Sequence, residues 1–508
     1  MIILKKLKKI IKDYYIFSLF VIPFIMVCDS NAIPDNDIWF LLAVGRGVFT
    51  HGFTTVDILT IHEGLECIIQ QWGSAAIYWS IYNLFGKYGI LCFVFFVLLL
   101  LLIVFYNLCK SLNNNKILSV VFTTLVFMFV SPYIVSRPQI ITYLLLLIEI
   151  FLLEKYTKYN NWKYLVGLLI LSIILINTHA AMWMFLFVFL LPYIVNGIYI
   201  KNVTVDKYNL LPVLLIGFGM FLVGFINPYG IDSMIYIFNS YNLPGISETI
   251  QEMQAINIYY FIFLISLFLI MLLILLQRYV KKFKLDIRHL CFIFGTYYLL
   301  LSHAKCYPYF IFVYFVCMSY GMKNVRIPRI NSLINSKIFI IFKAFFRATC
   351  FMLAISFFVV SSYIVKYFSF TPFIVFEGDV EIMANYIVEN YDINKVRLYT
   401  SFNDGGYYEF RGIKVYIDPR AELFYKKVNK KEDIYIEDMQ LTEEKENGFD
   451  YEKFLNKYEF THLAVYVDSR FDKYLEQNED YEVVFTLKDI TFNNQPVQKL
   501  YVLKDIDN

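Results

Sequence analysis

No cysteine follows Cys350, and the eight cysteines up to and including it lie far apart. The C-terminal segment therefore has no disulfide, and each cysteine reads as a small hydrophobe. Charge is scarce as well: only 17% of the 508 residues are charged, and stretches such as 89–108, 256–276 and 351–365 carry no charge at all. The chain lacks Gly-x-x-x-x-Gly-Lys-Ser/Thr, which excludes an ATP-driven pump built from this chain. It also lacks His-Glu-x-x-His, Cys-x-x-Cys and Gly-x-Ser-x-Gly, so zincin, thioredoxin-like and serine-hydrolase chemistry have no foothold. Glycine-rich loops for nucleotide phosphates are absent, and no internal repeat is visible.

What the chain does have is apolar sequence: 59% of it is hydrophobic, and its mean hydropathy is +0.56. Soluble domains sit near 45–50% apolar, and a membrane span needs roughly 20 apolar residues. The pattern predicts about eleven spans, near 14–28, 88–109, 117–133, 138–154, 162–177, 182–199, 209–226, 256–277, 289–304, 306–320 and 344–365. Residues 76–86 read either as an interfacial helix or as the start of a longer second span. The lysine-rich start resembles a signal peptide, but no small-x-small site closes the first run, so it reads as a retained helix. Alternate connecting segments beginning with 1–13 hold 23 basic residues, whereas the opposite set holds only Arg46, Arg137 and Lys305. That asymmetry predicts a cytoplasmic N-terminus and an exported C-terminus.

The expected fold is thus a polytopic α-helical membrane domain over 1–368 followed by a soluble extracytoplasmic α/β domain over 369–508. The first outer loop, 29–75, is the longest, and long loops usually serve as lids or binding surfaces. In the tail, 380–389 and 450–458 read as helices, and 395–401, 414–418, 463–467, 481–487 and 499–503 as strands. Residues 426–449 read as an exposed loop or solvated helix. From residue 370 onward there are 28 acidic and 17 basic residues. So acidic a domain is ill suited to nucleic acid, whose backbone contacts need Lys and Arg.

Ionisable groups near the ends of spans are costly and tend to face a cavity or a partner. On the expected outer face, Asp37 and Asp57 are the candidate catalytic carboxylates. Asp37, in Asp35-x-Asp37-x-Trp39, suits a general base or a metal ligand. The plain alternative is a helix N-cap, which Asp35 or Asn36 would supply. Arg137, in Ser136-Arg137-Pro138-Gln139, suits phosphate oxygens, or it snorkels to headgroups. Lys305 and His303, in Ser302-His303-Ala304-Lys305, and Arg46 are further candidates for binding substrate. His179 either donates to phosphate or makes a structural hydrogen bond. Glu248 and Glu252 share a face if that stretch is helical, which brings Glu252 onto the list. In the tail, Asn403-Asp404-Gly405-Gly406-Tyr407 reads first as a turn. Asp418-Pro419-Arg420-Ala421-Glu422 lies at the end of a strand, where ligands approach α/β sheets. Arg420 faces substrate or pairs with Asp404 or Glu422.

Taken in order, five stretches resemble bacterial members of the GT-C superfamily of membrane glycosyltransferases, in particular a multispan group with an exported tail. They are Asp37-Ile38-Trp39 through Asp57 with Gln71-Trp72; Ser136–Gln139; Asn177-Thr178-His179-Ala180; Asn227-Pro228-Tyr229-Gly230; and Phe402–Tyr407 with Tyr416–Glu422. The resemblance implies a GT-C-like fold in a bacterial cell membrane. It also implies a polyprenyl-phosphate-linked sugar as donor and transfer outside the cytoplasm to a glycan, lipid or protein acceptor. It assigns Asp37 as base or as a ligand to a divalent cation such as Mg or Mn, and Arg137 and Lys305 to the lipid phosphate. Two positions depart from the group: Gln71 stands where an acidic residue is usual, and Ala180 follows His179 in place of glycine. The chief alternative is a carrier or flippase for a lipid-linked or anionic solute, which predicts polar groups through the midplane and broken helices.

Overall fold

The computed structural model describes residues 37–198, 208–240, 286–323, 371–442, 448–489 and 495–504, together with residues 19, 22 and 23 and short pieces between 243 and 272. The expected spans 344–365 and most of 14–28 and 256–277 lie outside the described residues, as do Asp35, Glu248 and Glu252.

The described chain begins with α1 (Asp37–His51), then α2 (Trp72–Asn113), α3 (Lys116–Val130), α4 (Gln139–Tyr159) and α5 (Lys163–Thr178). There follow α6 (Met184–Gly197), α7 (Leu210–Val223), α8 (Ile231–Asn239), α9 (Ile287–Ser302) and α10 (Tyr307–Gly321). Asparagine marks several ends. Asn115 caps α3 by accepting from the Ile117 and Leu118 amides, and Asn209 caps α7 through the Leu211 amide. Asn114 and Asn160 end α2 and α4 in the left-handed conformation at φ 57° and 50°.

Among the described residues, three segments are long and apolar enough to cross a membrane: Trp72–Asn113, Lys116–Tyr133 and Ala180–Gly197. Lys163–Thr178, Leu210–Val223 and Ile287–Ser302 are shorter apolar helices. At 42 residues, α2 far exceeds the length a bilayer core requires, and it breaks at Gly86, where φ 60° and ψ −155° are non-helical. Residues 76–85 are thus helical and end at the Gly86 break, after which the long apolar run of the second span begins. At the opposite end of the bundle from α1, the Arg288 guanidinium pairs with Glu154 at 2.9 Å and Asp286 at 3.1 Å, while Tyr193 donates to Glu154. This buried knot joins α4, α6 and α9.

The tail comprises α11 (Thr371–Asn390), β1 (Arg397–Tyr399), α12 (Gly405–Phe410), β2 (Lys414–Val415), α13 (Lys426–Asn429) and α14 (Ile434–Thr442). It continues through α15 (Tyr451–Tyr458), β3 (His462–Tyr466), α16 (Arg470–Leu475), β4 (Tyr481–Asp489) and β5 (Gln495–Leu503). The five strands form one sheet in the order β2-β1-β3-β5-β4. β2, β1 and β3 run parallel, and β4 and β5 form an antiparallel hairpin added beside β3.

Two tail expectations differ in detail. Residues 405–410, read as part of a turn, wind into α12. Gly405 makes this possible, since a Cβ there would lie 2.1 Å from the Ile417 carbonyl oxygen. The described part of 426–449 takes the helical alternative, as two helices, but is not merely solvated: Val428, Ile434, Tyr435 and Leu441 are buried. The apolar residues between its charges find a core, and Asn429 spans the bend by donating to the Leu423 and Glu432 carbonyls.

Candidate active site

The site lies where α1, the loop after it, the start of α4 and the tail meet. Asp37 is the first residue of α1 and Arg137 directly precedes the first turn of α4, and their side chains pair at 3.1 Å. The two side chains are 29% and 21% exposed, so the pair is open to a ligand rather than sealed in the core. An acid on the first turn of a helix is favoured by the helix dipole. Tyr78 on α2 donates to the Arg137 carbonyl at 3.3 Å and helps fix the backbone beneath the guanidinium.

The same turn of α4 carries Thr142, whose hydroxyl is 2.8 Å from Nδ1 of His179. His179 is buried where α5 ends, and its neighbourhood is tied to α2: Trp72 donates to the Asn177 side chain and Ser74 to the Thr178 carbonyl. The Lys305 ammonium acts electrostatically on both His179 and the tail carboxyl Glu422. Burial pushes Glu422 up from the usual carboxylate range, and Gln70 donates to it at 3.3 Å. His303, at the end of α9, is exposed. Asp37, Arg137 and His179 are thus gathered around the first turn of α4 by direct contact, and Lys305 lies near enough for its charge to act on His179.

Asp57 and Arg420 belong to a second cluster. Arg420 follows β2 by five residues, at the carboxyl end of the parallel strands, where α/β sheets bind ligands. Its guanidinium meets Asp418 at 2.7 Å, Asp57 at 2.6 Å and Glu409 at 3.2 Å. These are the partners it takes in place of Asp404 and Glu422. Asp57 also accepts from the Leu59 amide and from the amide and hydroxyl of Thr60. Burial alone would raise its carboxyl, but Arg420 and Thr60 outweigh it and hold Asp57 below the ordinary carboxylate range. Glu409 goes the other way, pushed well above that range by burial and by the Asp418 charge. Among the candidate residues of the tail, Asp404 is buried and accepts from Ser401, Tyr466 and Gln498. Glu409, which ties Arg420 to the tail, was missing from the sequence candidates because no spacing marks it.

The loop between α1 and α2 docks on the tail. Thr60 bridges to Val415 of β2, the Ile61 amide donates to the Val415 carbonyl, and His62 Nε2 lies 2.7 Å from the Tyr416 carbonyl. Ile61, Leu65 and Cys67 join the hydrophobic core of the tail. A small, shallow pocket lies between α1 and this loop, lined among others by Val44, Gly47, Gly52, Asp57, Cys67 and Arg420. Arg46 on α1 donates to the Phe410 and Glu409 carbonyls at 2.9 and 2.8 Å.

A divalent cation needs a convergent set of oxygen or nitrogen ligands. Among the described residues, no group of three His, Cys, Asp or Glu side chains could hold a metal ion, and Asp37 is ion-paired with a guanidinium. The described residues do not fit a metal at Asp37. Arg137 is the fixed positive charge there.

No protein-family model and no curated protein sequence matches the chain. Solved structures do. The oligosaccharyltransferase of Archaeoglobus fulgidus, tethered with an acceptor peptide containing the NVT sequon, superposes with a TM-score of 0.58 at 11% identity over 90% of this chain and 70% of that chain. The same archaeal enzyme, AglB, in complex with an inhibitory peptide and a dolichol-phosphate, gives 0.57 at 11% identity with the same coverage. Its complex with Zn and sulfate gives 0.53 at 10% identity over 89% and 68%. The chain therefore shares the fold of this archaeal oligosaccharyltransferase, a helical body with a small C-terminal sheet.

Proposed function

We propose that the chain is a glycosyltransferase that moves a sugar from a polyprenyl-phosphate donor to a cell-envelope acceptor on the outer face of a bacterial membrane. The observation that carries this reading is the half-open Asp37–Arg137 pair at 3.1 Å, a carboxylate and a guanidinium presented together beside the first turn of α4. The fold shared with an enzyme solved with dolichol-phosphate supports a lipid-linked donor. The 23-to-3 asymmetry of basic residues supports eleven spans with the tail outside.

In this reading Asp37 takes the proton of an acceptor hydroxyl while its oxygen attacks the anomeric carbon. The bond from that carbon to the lipid phosphate breaks, and the electron pair leaves with the phosphate. Arg137 and Lys305 neutralise the departing charge, the kind of preorganised electrostatic help that weighs most in a water-poor site. His179, held by Thr142, orients the cationic side of the site. A single direct displacement inverts the anomeric centre.

The test is transfer from labelled polyprenyl-phosphate sugars to extracted envelope acceptors by the purified full-length protein in detergent or nanodiscs. Arg137→Gln is expected to lower turnover roughly a hundred- to a thousand-fold, whereas Gln71→Ala leaves it within a few-fold of wild type. Equal turnover by Arg137→Gln and wild type would remove Arg137 from the mechanism.

One observation favours the carrier reading. Glu149, in the middle of α4, is fully buried with neither carboxyl oxygen hydrogen-bonded. Ionisable groups at that depth commonly mark a transport path. Solute uptake into proteoliposomes that is abolished by Glu149→Gln, without sugar transfer, would favour the carrier.

A further inference from the structure

The tail is fastened to α1 at the end that carries Asp37. Trp39, two residues after Asp37, is only 4% exposed. Its ring stands edge-on to Tyr407 and tilted against Phe410, with centroids 4.9 Å away in both cases. Both partners lie on α12 of the tail. Two turns further along α1, Arg46 donates to the Glu409 and Phe410 carbonyls. Those are the last carbonyls of α12; that of Glu409 also accepts from the Gly412 amide, and a cation at a helix C-terminus is favoured by the dipole. α1 is also pinned to α2. At Gly45 an added Cβ would lie 2.2 Å from the Ala75 carbonyl oxygen, so the two backbones touch.

These contacts close a ring. Arg46 holds the main chain of Glu409, while the side chain of Glu409 meets Arg420, Arg420 meets Asp57, and Asp57 lies in the loop that leaves α1. Two arginines from different parts of the chain thus hold the same glutamate, one by its backbone and one by its carboxyl. Any shift of α12 would pull on α1 directly and on its following loop through Arg420.

We propose that Arg46 is a positioning residue: by binding the end of α12 it uses the tail to set the distance between Asp37 and Arg137, so the tail is an integral part of the active unit. The inference rests on the glycosyltransferase reading for its kinetic consequence but not for its structural one. Arg46 touches neither reacting atom in this scheme. It acts through α1, whose first residue is Asp37, and its effect falls on turnover rather than on donor binding.

The experiment compares wild type, Arg46→Ala, Arg46→Lys and Tyr407→Ala in full-length protein in nanodiscs, by transfer kinetics and by amide hydrogen exchange. Arg46→Ala and Tyr407→Ala are expected to lower kcat roughly ten- to a hundredfold while leaving the donor KM within about threefold. Arg46→Lys, which keeps one charged donor, recovers at least a third of the loss on a logarithmic scale. In Arg46→Ala the amides of 38–44 exchange at least tenfold faster, while those of β3 and β5 keep their protection. Unchanged kcat and unchanged exchange in Arg46→Ala would overturn the proposal. So would lost protection across the whole sheet with no rescue by lysine, which would make Arg46 merely structural. If wild type transfers no sugar from any such donor, the enzyme reading falls, and the exchange data still decide whether the tail positions α1.

Discussion

At the residue scale, the ion pairs of the site differ in how far they are exposed. Arg420 is surrounded by three carboxylates and is 11% exposed, whereas the Asp37–Arg137 pair keeps two to three times that exposure. Geometry therefore separates two residues that looked alike in the sequence: Asp57 is committed to a buried knot, and Asp37 is presented. Removing the centre of that knot strands buried carboxylates, so Arg420→Met is expected to cost about 3–5 kcal/mol, read as a drop in thermal midpoint of the detergent-solubilised protein. A second residue-scale prediction concerns Asp438 on α14. Burial and the neighbouring Glu437 push its carboxyl up to about 7, and one of its oxygens is buried without a partner. A carboxyl whose folded value is raised favours the protonated fold. Stability is then full below the unfolded value near 4 and is lost as pH rises towards 7, by about 1.4 kcal/mol per unit at most. Asp438→Asn should leave the midpoint near pH 4 unchanged and raise it at pH 8. An equal shift at both pH values would contradict the assignment.

At the element scale, most helices were legible because an apolar run needs only length and a break to declare itself. The runs near 117–133, 162–177, 289–304 and 306–320 became α3, α5, α9 and α10 within a few residues. The strands were legible from alternation, although β1 and β2 are shorter than their apolar runs suggest. The helix α12 was not legible, because two glycines disfavour a helix locally and their reason lies elsewhere in the fold: Gly405 must pass the Ile417 carbonyl. The docking of the 52–71 loop on β2 was hidden for a similar reason, since Thr60 and Val415 are 355 positions apart and no local pattern joins them. Both close approaches are testable. Gly45→Ala and Gly405→Ala should each destabilise by on the order of 2 kcal/mol through overpacking. Gly45→Ala should also reduce transfer, because it displaces α1 from α2. A Gly45→Ala protein with normal stability and turnover would show that this crossing is slack.

At the scale of the whole molecule, the helical body and the tail meet at one junction, and its pH dependence follows from two carboxyls with opposite shifts. Asp57, held low by Arg420, contributes stability that is present above its unfolded value and lost as pH falls through its depressed folded value. Glu409, held high by burial, contributes in the opposite sense: its stability is full below its unfolded value near 4.5 and is lost as pH rises through its folded value. The junction is therefore weakened at both extremes. Glu409→Gln should flatten the alkaline limb of a midpoint-against-pH curve and leave the acid limb in place. Loss of the acid limb instead would reverse the assignments of the two carboxyls.

Asp37 as the proton acceptor is the core of the account, and single-turnover transfer from a labelled polyprenyl-phosphate sugar by Asp37→Asn tests it most directly. With folding verified by an unchanged thermal midpoint, the rate is predicted to fall roughly a hundred- to ten-thousand-fold below wild type. Turnover at the wild-type rate by a folded Asp37→Asn protein would contradict it.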